Sequence, residues 1–166
     1  MREPLTAVRP TAWVSADGRP HPRVWHEAAP ARVGHRLGMR VERVDTTGVF
    51  APCPSCGLDE TTNPEVRRAR AVGQAALAGP VAGSLAEGAP PRWREDGNVS
   101  RVAAQVLASS AAEQSGLMRE WRRELRRMLD ADRSYVPLVR ELAALGRLTG
   151  GEFDALLREV GACGTR

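Results

Sequence analysis

Lysine and isoleucine are absent from the 166 residues, and the chain holds only two Asn, one Tyr and two Phe. These depleted residues share AT-rich codons, whereas the abundant Ala, Arg, Gly and Pro have GC-rich ones. A GC-rich bacterial or bacteriophage gene explains both gaps. Selection against lysine modification would explain only one of them. All 24 basic side chains are therefore arginine. Aromatics make up 4% of the chain, so a core must rest on Leu, Val, Ala and a few Trp. No apolar run reaches the roughly 18 residues of a membrane-spanning helix. The start, Met1-Arg2-Glu3-Pro4, lacks the apolar stretch of a secretory signal. These gaps point to a cytoplasmic protein with no membrane partner. Cysteine is scarce and odd in number, three in all, with two in a Cys-x-x-Cys. That excludes a secreted disulfide framework and favours metal or redox use. The net charge is +4, with eight Arg against seven acids in residues 1–63 and sixteen against thirteen in 64–166. Neither part is a polycation, so nucleic-acid binding is permitted but not demanded.

Residues 1–63 are punctuated by Pro at 4, 10, 20, 22, 30, 52 and 54, which argues against long helices there. Thr11–Ser15 suits a short strand before a turn at Asp17-Gly18. Met39–Val44 and Val49–Ala51 read as a strand pair joined by Asp45-Thr46-Thr47-Gly48. A helix is expected to start at Asn63-Pro64 and to stop at Gly79-Pro80, with Val66, Ala69, Val72, Ala76 and Leu77 as its apolar stripe. Residues 80–98 read as a linker that Trp93 pins to a core. Residues 99–131 read as helical from a cap at Asn98, with a division at Gln114-Ser115-Gly116. Leu117, Trp121, Leu125 and Leu129 recur at four-residue spacing and mark a core or subunit interface. The opposite face carries Arg119, Arg122, Arg123, Arg126 and Arg127, partly neutralised by Glu120 and Glu124 at helical spacing.

Residues 135–160 read as helix, turn, helix. Leu138, Leu142 and Leu145 mark one face, Gly146 suits a left-handed cap, and Thr149 with Glu152 forms a capping box. Phe153, Leu156, Leu157 and Val160 mark the facing stripe. Two such short helices bury each other incompletely, so a third surface must complete their core. The stretch resembles the SHOCT family, the short C-terminal domain of many bacterial proteins, at Leu142, Leu145, Gly146, Leu148, Thr149, Glu152, Phe153 and Leu157. It covers about 25 residues and departs from the family in having Asp154 and Arg158 where lysines usually follow the Phe. The resemblance implies a bacterial or phage setting and an oligomerising or tethering role, without catalysis.

Pro52-Cys53-Pro54-Ser55-Cys56-Gly57 is similar to the knuckle of zinc ribbons and rubredoxin-like folds. Two thiolates at this spacing can share one tetrahedral ion, and Zn2+ would stabilise a Pro-rich, aromatic-poor segment. Two further ligands are needed. His21 and His26 are the first choice, with His35 or Cys163 as the replacement for His21. Thioredoxin-like redox chemistry at Cys53 would need a βαβ surround, whereas the chain turns helical. The Pro-Cys-x-x-Cys is also similar to that of zinc deaminases, but Glu27 directly follows His26 where their pattern is His-x-Glu. Adjacent helical residues point about 100° apart, so ligand and general base would not share a site.

The expected fold is α+β: a small zinc-stabilised strand-and-turn module over 1–63, a helix and Pro/Gly-rich linker over 64–98, and an all-helical region over 99–166 ending in the SHOCT-like hairpin. The expected function is a non-enzymatic zinc-binding adaptor that docks on nucleic acid or a protein partner. Arg67, Arg68, Arg70, Arg119, Arg122, Arg123, Arg126 and Arg127 are the contact candidates, and Leu117, Trp121, Leu125 and Leu129 would build a homo-oligomer. The alternatives are a structural subunit of a phage particle or bacterial assembly, and a deaminase-like zinc enzyme.

Overall fold

The computed structural model describes residues 13–47, 50–52, 64–87 and 97–163. Six helices and three short strands run in the order α1 (Pro22–Arg36), β1 (Val41–Asp45), β2 (Phe50–Pro52), α2 (Pro64–Glu87), α3 (Gly97–Leu107), α4 (Ala111–Ala131), α5 (Tyr135–Leu145), β3 (Arg147–Thr149) and α6 (Gly150–Cys163).

The expected zinc-stabilised strand-and-turn module at the front is overturned. Its centre is α1, 15 residues long, and the described residues are mostly helical. Proline did not forbid this helix, because its two prolines fall where helices tolerate or outweigh them. Pro22 occupies the first turn, where its missing N–H costs nothing, and His21 caps the start by accepting from the Arg23 N–H at 3.2 Å. Pro30 lies inside and removes the N–H that the His26 carbonyl would otherwise receive. That interruption, worth about 3 kcal/mol in an isolated helix, is offset by burial. Val24, Ala28, Ala29, Ala31 and Val33 are all fully buried, largely against α2. Gly38, at φ +87°, ends the helix with a left-handed cap. Its N–H reaches the His35 carbonyl and the Met39 N–H reaches Gly34.

Helix α2 starts at the expected Pro64 but does not stop at Gly79-Pro80; it continues to Glu87. Tertiary packing again overrides local propensity. Ala71, Ala75, Leu77, Ala78, Val81 and Ala82 are buried, and Gly79 lets α1 approach closely. A Cβ at Gly79 would lie 2.9 Å from His26 Nε2 and 3.0 Å from the His26 carbonyl oxygen. The carbonyl that Pro30 leaves without its helical donor is thus the one that faces the glycine.

The strand pair is where the sequence places it, shifted by one or two residues: β1 pairs antiparallel with β2, and its end is fixed by Asp45, whose Oδ1 accepts from the Thr47 N–H. The third strand comes from the far end of the chain. β3 pairs antiparallel with β1, giving the order β2-β1-β3. The helix–turn–helix at 135–163 is therefore completed by β1 and α1, which supply the surface that its two helices lack. Gly146, at φ +74°, donates to Leu142 and accepts from the Thr46 N–H at 3.0 Å. Gly150 is required by contact: a Cβ there would collide with the Val41 carbonyl oxygen. Thr149 and Glu152 form the expected capping box, with the Thr149 N–H donating to the carboxylate at 2.7 Å.

The expected division at Gln114-Ser115-Gly116 falls instead at Ala108-Ser109-Ser110. Ser110 caps α4 by accepting from the Glu113 N–H at 3.2 Å, and Glu113 reaches back to the Ser110 and Ser109 N–H groups at 2.9 and 3.0 Å. Gly116, the expected break, lies inside α4 with nothing near its missing side chain. Trp121, Leu125, Leu138, Leu142 and Phe153 form the large-residue part of the core, each 0% exposed. The residues expected to build a subunit interface are thus turned inward. Trp121, Leu125 and Leu129 are buried in the chain's own core and Leu117 packs against it. Among the described residues no helix is long and apolar enough to cross a membrane.

Candidate functional site

The expected metal set is not assembled among the described residues. Cys53 and Cys56, with the rest of the knuckle, lie outside them, as does Trp93. His21 is spent on the α1 cap, and its ring sits edge-on to Trp13 at 6.5 Å. His26 is a packing knob: its ring fills the groove that Gly79 and Gly83 leave on α2, with Nε2 and Nδ1 both turned to that helix. His35 stands at the other end of α1, edge-on to Phe153 at 5.5 Å and with Nε2 3.8 Å from Asp154. Burial, and then the neighbouring Arg32 charge, hold its pKa below the ordinary histidine value. Cys163 is the last residue of α6. Among the described residues no three His, Cys, Asp or Glu side chains are grouped to hold a metal ion.

The arginine candidates separate into three environments. On α2, Arg70 pairs with Glu120 at 3.6 Å and Glu124 at 3.1 Å, and Gln74 donates to Glu124 at 2.6 Å. Arg67 is also engaged. Arg68 borders an apolar groove between α2 and α3 lined by Ala69, Val72, Val99, Val102 and Val106. The three valines of α3 are 51%, 59% and 62% exposed, so this face of the helix is the most open apolar surface described.

On α4 two of the carboxylates face another helix, while the exposed Asp130 stays at helical spacing from Arg126 and Arg127. Glu120 and Glu124 turn toward α2, drawn by Arg70 and Gln74, and not toward the arginines three or four residues away on their own helix. Arg119, Arg122 and Arg126 follow at i, i+3 and i+7, and Arg123 and Arg127 follow Arg119 at i+4 and i+8, making two adjacent rows on the side away from α2. Arg119, Arg123, Arg126 and Arg127 are exposed and, among the described residues, form no ion pair. Arg122 is half-buried. Burial, and then repulsion from Arg101 and Arg119, lower its pKa. Arg101, on α3, was not among the sequence candidates. No periodicity within α3 singles it out, and only the turn at 108–110 brings it against α4.

Arg101, Arg119 and Arg122 line one cleft between α3 and α4, about 420 Å³ in volume, whose inner surface includes Ala104 and Met118. Its shape is held by the α3–α4 corner. The Ser110–Glu113 capping box fixes the start of α4, and Gln114 donates to the Ala108 carbonyl at 3.2 Å. A second charged cluster is structural. Arg32 meets Asp132 at 2.6 Å and Ser134 at 2.8 Å, while Asp132 accepts from the Ser134 N–H at 2.9 Å, tying α1 to the α4–α5 turn. No protein-family profile matches the chain, and no curated protein matches it either.

Proposed function

We propose that this protein is a non-enzymatic adaptor that docks nucleic acid through the arginine rows of α4. The observation that carries this reading is the density of exposed arginine on one helix. Glu120 and Glu124 are taken up by Arg70 and Gln74 of α2, and Arg119, Arg123, Arg126 and Arg127 stand exposed with Asp130 as the one carboxylate of α4 on their side. Guanidinium forks suit phosphate oxygens, and exposed long side chains at helical spacing can follow a phosphate backbone without reading sequence. The docking surface of this adaptor is carried by helix.

The test is binding of duplex and single-stranded oligonucleotides of arbitrary sequence over a salt series. Affinity for duplex DNA should fall with a slope of about −0.9 per phosphate contacted, so five contacts would give a slope of roughly −4 to −5. Arg123→Glu, Arg126→Glu and Arg127→Glu together should lower affinity at low salt by about a hundredfold or more, since each replaces attraction with repulsion at a phosphate. Absence of binding at about 50 mM salt, or an affinity indifferent to salt and to the triple reversal, would remove the reading.

A further inference from the structure

We propose that the valine face of α3 and the groove beside it form the interface of a two-fold homodimer, with Val99, Val102 and Val106 of each copy seated against α2 and α3 of the other. The proposal goes beyond the docking reading of α4 and stands or falls without it.

Helix α3 carries more apolar surface than its neighbours in the chain use. At about 100° per residue, its apolar and small positions run from Val102 through Val99, Ala103 and Ser100 to Ala104, an arc of about 200°, whereas a helix lying on a core needs a stripe of about 100°. The inner part of that arc is occupied. Ser100 is fully buried and its hydroxyl donates to the Gly73 carbonyl at 3.0 Å, and Ala103 and Ala104 are buried beside it. These contacts lock the rotation of the helix. At Gly73 the backbone of α2 comes so near that a Cβ there would lie 2.8 Å from the Ala103 Cβ, so α3 meets α2 through alanine and serine and has no place there for a branched side chain. The larger apolar residues are left outside. Val99, Val102 and Val106 are each more than half exposed. An amphipathic helix that packs its small residues inward and holds its bulkier ones outward has a second face to bury.

The shape of that face suits a second copy of the chain. The valines stand at i, i+3 and i+7 and form a ridge, and beside it Ala69 and Val72 of α2 line a groove. A surface that holds a ridge and a groove side by side is complementary to itself, because a two-fold rotation sets the ridge of each copy in the groove of the other. Charge agrees with shape. The charged residues bordering the groove are Glu65 and Arg68, one of each sign and one helical turn apart on α2. Arg101, the one charged residue of α3, borders the cleft toward α4 instead. Two copies of a chain with net charge +4 therefore meet here without an excess of like charge, whereas contact through the outer side of α4 would set arginine against arginine. The 11 residues of α3 span about 16 Å, so the contact is smaller than the roughly 800 Å² per partner of a standard interface. The dimer is a weak one, with a dissociation constant of roughly 10–100 µM.

Sedimentation of the full chain over about 1–500 µM, at about 0.1 and 1 M salt, tests the proposal. The samples are wild type, Val102→Glu/Val106→Glu, and the control Val136→Glu, which charges a valine 40% exposed on α5. Thermal melting of each is read at the lowest concentration, where wild type is monomeric. The expected result is a wild-type mass that doubles across the series and goes no further, in either salt. The Val102/Val106 variant should associate at least about tenfold more weakly and melt within about 3 °C of wild type, and the control should dimerise as wild type does. Wild type that stays monomeric throughout overturns the proposal. So does growth beyond two copies, or a dimer that the Val102/Val106 variant leaves intact. A fall in that variant's melting of more than about 3 °C means that the valines are covered within the single chain, and overturns it as well.

Discussion

The two ends of the core are built in opposite ways. Where α1 meets α2, the contact is made by Ala, Gly and Val, and the helices come close enough that a glycine faces a backbone carbonyl. Elsewhere, where α4 packs on α2 and α3, α5 on α1, and α6 on β1, the core is filled by Trp121, Leu125, Leu138, Leu142 and Phe153. The first interface gains by close approach and has no room for added atoms at its tightest point, Gly79. The second gains by buried area and has no material to spare. They touch at Gly73, where a Cβ would lie 2.6 Å from the Trp121 ring and 2.8 Å from the Ala103 Cβ. The lesson is that the first end is sensitive to added volume where the helices lie closest, and the second to volume removed.

The largest effect should come from removing volume at the large-residue end. Trp121→Ala should cost about 3–5 kcal/mol in equilibrium urea unfolding, because the ring is fully buried and its neighbours are helix faces that collapse only in part. A cost under about 1 kcal/mol would break the comparison. Next come additions at the small-residue end. Gly79→Ala should destabilise by about 1–2 kcal/mol: the new methyl meets His26, and the gain of about 1 kcal/mol in helix propensity offsets only part of that. Gly83→Ala, one turn on, should instead stabilise by up to about 1 kcal/mol, because its Cβ would lie 3.6 Å from His26 Nδ1, an ordinary contact. Equal signs for the two melting shifts would show that α1 and α2 are not packed as closely as described. The smallest effect lies at the corner between the two ends. Ser110→Ala should cost about 1 kcal/mol by chemical denaturation, through loss of the α4 cap.

Legibility in the sequence followed how local each cause was. The Thr149–Glu152 box, the Gly146 cap, the β1–β2 pairing and the start of α2 at Pro64 depend on a few adjacent residues, and each could be read directly. Ser110-x-x-Glu113 carries the same signal as Thr149-x-x-Glu152. That box, and not Gly116, marks the break, because a glycine facing open space breaks nothing. The prolines misled for the opposite reason. Their local penalties are real, but Pro30 and Pro80 both sit in helices whose buried faces outweigh them. The arginine candidates on α4 were visible as a helical pattern. That Glu120 and Glu124 would abandon them for Arg70 was not, because the competing partner is on another helix. Arg101 was missed for the same reason.

By itself the sequence determined the caps, the turns, the apolar stripes and the arginine-only character of the basic charge, since each is written in residue types a few positions apart. Tertiary structure alone decided that α1 and α2 run through their prolines. It also decided that a strand near the end of the chain joins one near its beginning, that two histidines become packing and capping groups, and that three arginines from two helices converge. These are balances between a local cost and a contact made across many residues. A reading of neighbours supplies the cost, while only the folded chain supplies the contact.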